Sequence, residues 1–328
     1  MSDLTTKTIS PDSAQLQKQP AQTPPKKVSS SFTSNGLKYK EYGAFLAFAL
    51  PNIILILVFI YNPLLNNIVY SFTNWQLGAQ VTQWVGFANY KRWFTDPASW
   101  DVMRITAIFA VATVGGTLIL GMGIAMALNQ KVKGKVQAVA RSSVFAPYVL
   151  SGVGVGLVWL FIFDPMYGAL AGMLKWFGIN SPDWYQDRGW ALLMVIIVYI
   201  WKNLGYAAIV YLAALQAINP SVLEAAEIDG ATGFTRFRKI IFPLLSPTTF
   251  FLLTTTILNS LQAFDLIKIM TSGGPLNGTT TLMYQVYQEA FENSRAGYSA
   301  AVGTILFIIL LGLTIFQMRV LEKKVHYS

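Results

Sequence analysis

Glu224-Ala225-Ala226-Glu227-Ile228-Asp229-Gly230-Ala231-Thr232-Gly233 is the stretch that decides how this chain is read. It runs on through Phe237 and Ile240 to Pro243 and Pro247, a polar insertion with helix signals between apolar segments. Asn219 suits a helix N-cap, and Pro220 suits the first helical position, where an N–H needs no partner. Val222 to Asp229 favour helix, and Gly230 can take the left-handed conformation that ends it. A second short helix, about Phe234 to Ile241, is expected to stop before Pro243, whose ring breaks helices. The pattern predicts a helical hairpin with two small residues, Ala225 and Ala226, where a partner can approach closely. Acids (Glu224, Glu227, Asp229) come first, then bases (Arg236, Arg238, Lys239).

The flanks of the hairpin set the class. Of 328 residues, 54% are hydrophobic and 12% are charged, and the mean hydropathy is +0.47. A soluble domain carries about 25% charged residues. The composition therefore points to an all-α polytopic membrane protein. Six apolar segments approach the ~20 residues of a spanning helix: about 43–70, 105–128, 143–163, 191–214, 247–269 and 298–318. Pro51 and Pro63 predict a kink or break in the first. Residues 1–42, rich in Ser, Thr, Gln, Pro and Lys, read as a disordered cytoplasmic tail. The span domain then covers 43–320, with a C-terminal cytoplasmic tail at 321–328. The absence of Cys excludes disulfides, thiol chemistry and Cys-based metal sites. His326 alone in a polar tail supports no metal or acid–base site, and no Walker A loop is present. No cofactor is expected.

Lys and Arg set the orientation. Lys7, Lys18, Lys26, Lys27, Lys38 and Lys40 precede the first span. Lys131, Lys133, Lys135 and Arg141 lie between spans two and three. Arg236, Arg238 and Lys239 follow span four, and Arg319, Lys323 and Lys324 follow span six. The opposite side carries fewer, mixed with acids. Both termini and the hairpin are therefore expected in the cytoplasm, and the net charge of +9 reflects basic loops rather than nucleic-acid binding. The expected external loops are aromatic. Trp75, Trp84, Phe87, Tyr90, Trp93, Phe94 and Trp100 crowd one, and Trp176, Trp184, Tyr185 and Trp190 the other. They read as an interfacial belt or as a landing surface for a binding protein. Leu170 to Phe177 reads as a short amphipathic helix at the membrane surface.

The hairpin string resembles the EAA loop of ABC-importer permeases, with Phe242 where an Ile-x-Leu-Pro ending has Leu. Tyr70-Ser71-Phe72-Thr73-Asn74-Trp75, Val85-Gly86-Phe87-Ala88-Asn89-Tyr90 and Trp201-Lys202-Asn203-Leu204-Gly205-Tyr206 resemble the maltose-type carbohydrate and glycerol-phosphate branch. So do Gly273-Gly274-Pro275 and Tyr287-Gln288-Glu289-Ala290-Phe291. The resemblance implies the type I importer permease fold in a bacterial or archaeal cell membrane. It also implies a non-enzymatic subunit that forms half of a pathway for a carbohydrate. The implied partners are a second homologous permease, an ABC ATPase dimer that hydrolyses the ATP, an extracytoplasmic solute-binding protein and the small-molecule sugar, within membrane lipid and without nucleic acid.

By the same resemblance, Glu224, Ala225, Ala226, Asp229, Gly230, Ala231 and Pro243 couple to the ATPase. Tyr148, Gly152, Leu204, Gly205, Thr256, Asn259, Ser260 and Ala263 correspond to pathway positions. Ala208 and Ala263 stand where maltose permeases carry larger hydrogen-bonding residues. Each polar residue has two open roles, lining the pathway or bonding between helices. Lys202 lies within a span, where a lysine costs roughly 2.5–3.5 kcal/mol on insertion scales. It either attracts an anionic solute such as a phosphorylated glycerol or pairs structurally with Asp265. A secondary transporter working without ATP is the rival reading, but the spans hold almost no acids for ion coupling.

Overall fold

The computed structural model describes residues 34–129 and 134–321. The described chain is built of helices joined by loops, and among the described residues the extended pairing is an isolated bridge between Thr73 and Trp84. It divides into two units at Leu57/Val58.

The described part of the first unit is helix α1, Ser34–Ile56, with Pro51 inside it. The helix begins ahead of the boundary expected at residue 42. Leu37, Lys38, Lys40 and Glu41 are good helix formers with no proline among them, so helix extends back into the stretch assigned to the tail. The rest of that tail, and the terminal stretch from 322, lie outside the described residues.

In the second unit, a π-helical turn and α2 (Asn62–Tyr70) complete an apolar run, Phe45–Tyr70, long enough to cross a membrane. A short α3 (Ala88–Thr95) leads into α4 (Pro97–Leu128), which opens on an Asp96 cap with Pro97 in the first turn. Next come α5 (Lys135–Val149), α6 (Gly152–Phe163) and α7 (Ala169–Trp176). Helix α8 (Arg188–Ala217) is capped by Asp187, whose carboxylate accepts from the Gly189 and Trp190 amides. After the hairpin come α12 (Ser246–Leu261), α13 (Asp265–Met270), α14 (Leu282–Tyr287) and α15 (Ala296–Phe316); the hairpin's own α9 to α11 are described below. Besides Phe45–Tyr70, four stretches are long and apolar enough to span: Pro97–Leu128, Arg188–Ala217, Ser246–Met270 and Ala296–Arg319.

The third expected span, 143–163, is not one rod. Gln137–Val149 and Gly152–Phe163 meet at 102°. Leu150 and Ser151 are extended at the corner. Pro147 withholds an N–H, and Gly152, Gly154 and Gly156 resist helix on the far side. Apolar length alone conceals such a break. A second break falls at Gln262–Phe264, between α12 and α13.

Packing follows from small residues, because lipid offers apolar helices little reason to associate. Helix α4 lies along α8, and a Cβ on Gly121 would come within 2.8 Å of the Ala207 Cβ. Helix α5 packs on α8 so closely that a Cβ on Gly205 would overlap the Val144 carbonyl oxygen. Helix α13 packs on α6, and α12 on α4. A core around Phe109, Val155, Phe163, Met194, Val198 and Tyr199 lies toward the start of α8. Another, around Tyr211, Leu212, Leu215, Leu245 and Leu252, lies toward its end.

Candidate coupling hairpin and translocation cleft

The hairpin starts where the sequence places it. The Asn219 side chain accepts from the Ser221 N–H at 3.1 Å, and Pro220 opens α9 (Pro220–Ile228). Gly230 has φ +76°. Its N–H donates to the Glu227 carbonyl at 3.1 Å, and the Ala231 N–H donates to the Ala226 carbonyl at 2.9 Å. These two bonds close a Schellman motif, which consumes carbonyls the helix end would leave open. A Cβ on Gly230 would meet nothing within 4 Å, so backbone conformation alone selects glycine there.

The second arm departs from expectation. Helix α10 (Gly233–Arg236) passes through a π-helical turn, Phe237–Ile241, into α11 (Phe242–Leu244). Helix therefore continues through Pro243 instead of stopping before it. The wider turn carries the chain up to Pro243, which sits in the first turn of α11, where its missing N–H leaves no interior bond unmade. This arm is anchored. Phe237 and Ile241, one helical turn apart, pack against the core that contains Leu245, Tyr211 and Leu252. The hairpin is thereby packed against residues of both α8 and α12.

The two small residues face different ways. Ala225 is exposed, whereas Ala226 is buried against this chain, so only Ala225 is open to a partner. Glu224, Asp229 and Gly230 are exposed, and Ala231 and Pro243 are half-buried. The surface also presents two large apolar side chains that sequence reasoning passed over, Ile228 (87% exposed) and Phe234 (74%). Their signal was available: large apolar residues in a polar loop are otherwise a solvation penalty. Glu227 and Arg236 approach at 4.0 Å across the hairpin, and with the Glu227 carboxylate exposed and Arg236 half-buried the pair is worth little.

The cleft lies at the second break. Tyr199, Lys202 and Asn203 of α8 face Asn259, Gln262, Ala263, Phe264 and Asp265 around a volume of ≈ 310 Å³. A small recess of ≈ 10 Å³, room for about one water, extends it toward Thr117, Tyr148, Tyr206 and Thr256. Tyr148 stacks on Tyr206 with ring centroids 5.0 Å apart. The Lys202 ammonium lies 5.9 Å from the centre of the Tyr148 ring. Asn203 donates to the Tyr199 carbonyl at 2.8 Å, which leaves its own oxygen uncommitted.

Tyr148, Thr256, Asn259, Ala263 and Lys202 thus come together. The other sequence candidates occupy packing positions. Gly205 abuts α5, and Ala208 is fully buried. Ser260 is buried and shares a 2.7 Å hydrogen bond with Thr113 of α4. Leu204 is half-buried and outside the cleft lining. Gly152 makes way for a carboxylate, since a Cβ there would overlap Asp265 Oδ2. That contact bears on Lys202. No ion pair between Lys202 and Asp265 forms among the described residues. Asp265 instead sets its charge at the N-terminus of α6, where the helix dipole favours an anion. Tyr199, Asn203 and Tyr206 were missed. With Lys202 they recur at helical spacing along an apolar helix, a polar stripe that marks a cavity-facing side.

Residues 118–327 match the family of binding-protein-dependent transport system inner membrane components. The chain belongs to this family. As a permease it is 38% identical over 279 residues to the sn-glycerol-3-phosphate transport system permease protein UgpA of Agrobacterium fabrum, covering 85% of this chain and 94% of that protein. It is likewise 38% identical over 283 residues to UgpA of Rhizobium meliloti, with the same coverage of 85% and 94%. In fold it matches a bacterial ABC transporter involved in import of the acidic polysaccharide alginate. The TM-score is 0.77 at 23% identity, covering 88% of this chain and 98% of the other. The permease is a multi-pass inner-membrane subunit of an ABC importer with the type I importer fold.

Proposed function

We propose that this permease lines half of the route for a small hydroxylated solute carrying an anionic group, of the glycerol-phosphate class. The observation that carries the reading is Lys202, a cation on the cleft wall with no ion-pair partner among the described residues, beside the neutral Asn203, Asn259 and Gln262; the acid of the same wall, Asp265, lies against Gly152 at the start of α6. An unpaired intramembrane lysine is costly, and a phosphate entering the cleft offsets that cost. The amides suit hydroxyl groups. The permeases of Agrobacterium fabrum and Rhizobium meliloti, both named for sn-glycerol 3-phosphate, support the same class. A neutral sugar is the second reading, favoured by the stacked Tyr148 and Tyr206, which offer a face to a pyranose ring.

The solute is handed over by an extracytoplasmic binding protein, and the other half of the pathway comes from a second, homologous permease. A dimer of separate ATPase subunits hydrolyses ATP. Its closure moves the hairpin, with Glu224, Ala225, Asp229 and Gly230 at the contact and Ala226, Ala231 and Pro243 keeping its shape. Because Phe237 and Ile241 fix the hairpin to the core at the end of α8, α8 and α12 move with it, and the cleft opens to alternate sides. Both termini and the hairpin lie in the cytoplasm, a placement that the Lys and Arg bias of the loops supports.

Lys202→Met in the reconstituted importer tests the substrate reading. Uptake of glycerol 3-phosphate should fall by at least tenfold, about 1.4 kcal/mol, with assembly and ATPase activity intact. Undiminished uptake of that anion, or transport of a neutral sugar alone, overturns it.

A further inference from the structure

Helix α7, Ala169–Trp176, joins α6 to α8 at the end of α8 remote from the coupling hairpin. It is apolar on two sides. Leu170 packs inward against the core that contains Phe163 and Trp184. On the outer side, Trp176 is 91% exposed, Phe177 77% and Met173 60%. The lead-in adds Met166 at 79% and Tyr167 at 88%. A helix apolar all round is ordinarily buried, and this one has an open side.

We propose that this side of α7 is an interfacial anchor, seated in the head-group layer of the leaflet opposite the hairpin. Three observations commit it to lipid. The first is continuity along the chain: Leu157, Val158 and Phe161 of α6, half of a broken span, are exposed apolar side chains, and Met166 and Tyr167, exposed as well, follow within a few residues. The second is residue chemistry, because Trp and Tyr are the side chains that favour the membrane–water boundary. The third is charge. Lys175 is the sole charged side chain of α7; it is exposed and long enough to reach lipid phosphates while its neighbours sink. The acids that flank α7 in sequence are engaged in turns: half-buried Asp164 accepts through Oδ1 from the Met166 and Tyr167 amides at 2.8 and 2.7 Å, and exposed Asp183 accepts from the Tyr185 and Gln186 amides. The Asp164 bonds turn the chain out of α6 and into the plane of the interface. The anchor therefore holds the outer end of α6 at a fixed depth, while its inner end meets Asp265 beside the cleft.

The chain contains no cysteine, so Trp176→Cys introduces its single thiol. The probe is a bimane on that thiol, with cysteine-free partner subunits, in the assembled importer in phosphatidylglycerol and phosphatidylethanolamine vesicles. Head-group-labelled spin lipids should quench it, and a membrane-impermeant maleimide should react several-fold more slowly at 176 than at Lys175→Cys. Both results should hold with or without the binding protein. Because Trp176 touches little protein, the substitution leaves folding intact; Tyr167→Cys repeats the test on the lead-in. Equal maleimide reactivity at 176 and 175 overturns the anchor. So does protection that appears only when the binding protein is added, or that persists in detergent without lipid, since either assigns the surface to protein.

Discussion

In the first arm of the coupling hairpin, the groups that set the geometry lie between Asn219 and Ala231. In the cleft they come from five helices and span Thr117 to Leu266. One is a local device, an N-cap at one end and a Schellman turn at the other, that folds much the same wherever it is placed. The other exists only once α4, α5, α8, α12 and α13 have packed. Substitution should therefore damage the two regions differently. Hairpin variants should keep the permease folded and weaken its coupling. Variants at the close approaches behind the cleft should lose the protein before they lose selectivity.

The largest effect is expected at Gly205→Val. The added side chain enters the Val144 backbone of α5, which cannot yield as a flexible side chain can. Overpacking of this kind costs about 1–3 kcal/mol or more. Recovery of assembled complex by size-exclusion chromatography should collapse. Gly230→Val comes next and inverts the pattern. A Cβ there meets nothing, so the cost is confined to the left-handed backbone, about 1–2 kcal/mol. Complex yield should stay near normal while uptake per ATP hydrolysed falls. Gly230→Asn, which tolerates that conformation, should restore most of it. A loss of folding at Gly230→Val, or a benign Gly205→Val, would break the contrast.

Asn219→Ala removes an N-cap worth typically ~1 kcal/mol. It should lower the thermal stability and uptake of the complex modestly, without altering substrate preference. Ser260→Ala is the smallest change. It deletes the bond to Thr113, and such bonds average about 0.6 kcal/mol in membrane bundles. Substrate affinity in binding assays should be unchanged, whereas Asn259→Ala, one residue away and lining the cleft, should reduce it several-fold.

That pair shows what the sequence could carry. Asn219, Pro220 and Gly230 act through backbone bonds a few residues away, so reading them in order is enough. Asn259 and Ser260 are both polar residues in the same apolar helix. Which of them faces the cavity depends on where α4 and α8 lie, and no local signal holds that information. Ala225 and Ala226 split the same way, one exposed and one buried. The break at Leu150–Ser151 was half-visible in Pro147 and the Gly152, Gly154, Gly156 series, yet the apolar run concealed it. The stripe Tyr199, Lys202, Asn203, Tyr206 is legible in the sequence as polar residues at helical spacing in an apolar helix. Lys202 also shows the limit of pairing by composition: Asp265 shares the cleft wall but forms no ion pair with it, its carboxylate lying against Gly152 at the start of α6.

The most direct test places a single thiol at Ile228, the exposed apolar tip of the hairpin. In the assembled importer, Ile228→Cys should cross-link to an ATPase subunit through a short bifunctional reagent. The link should form from the cytoplasmic side only and should stop uptake. Labelling of residue 228 by an impermeant reagent from the outer side of intact cells would contradict the account, as would full uptake with the cross-link in place.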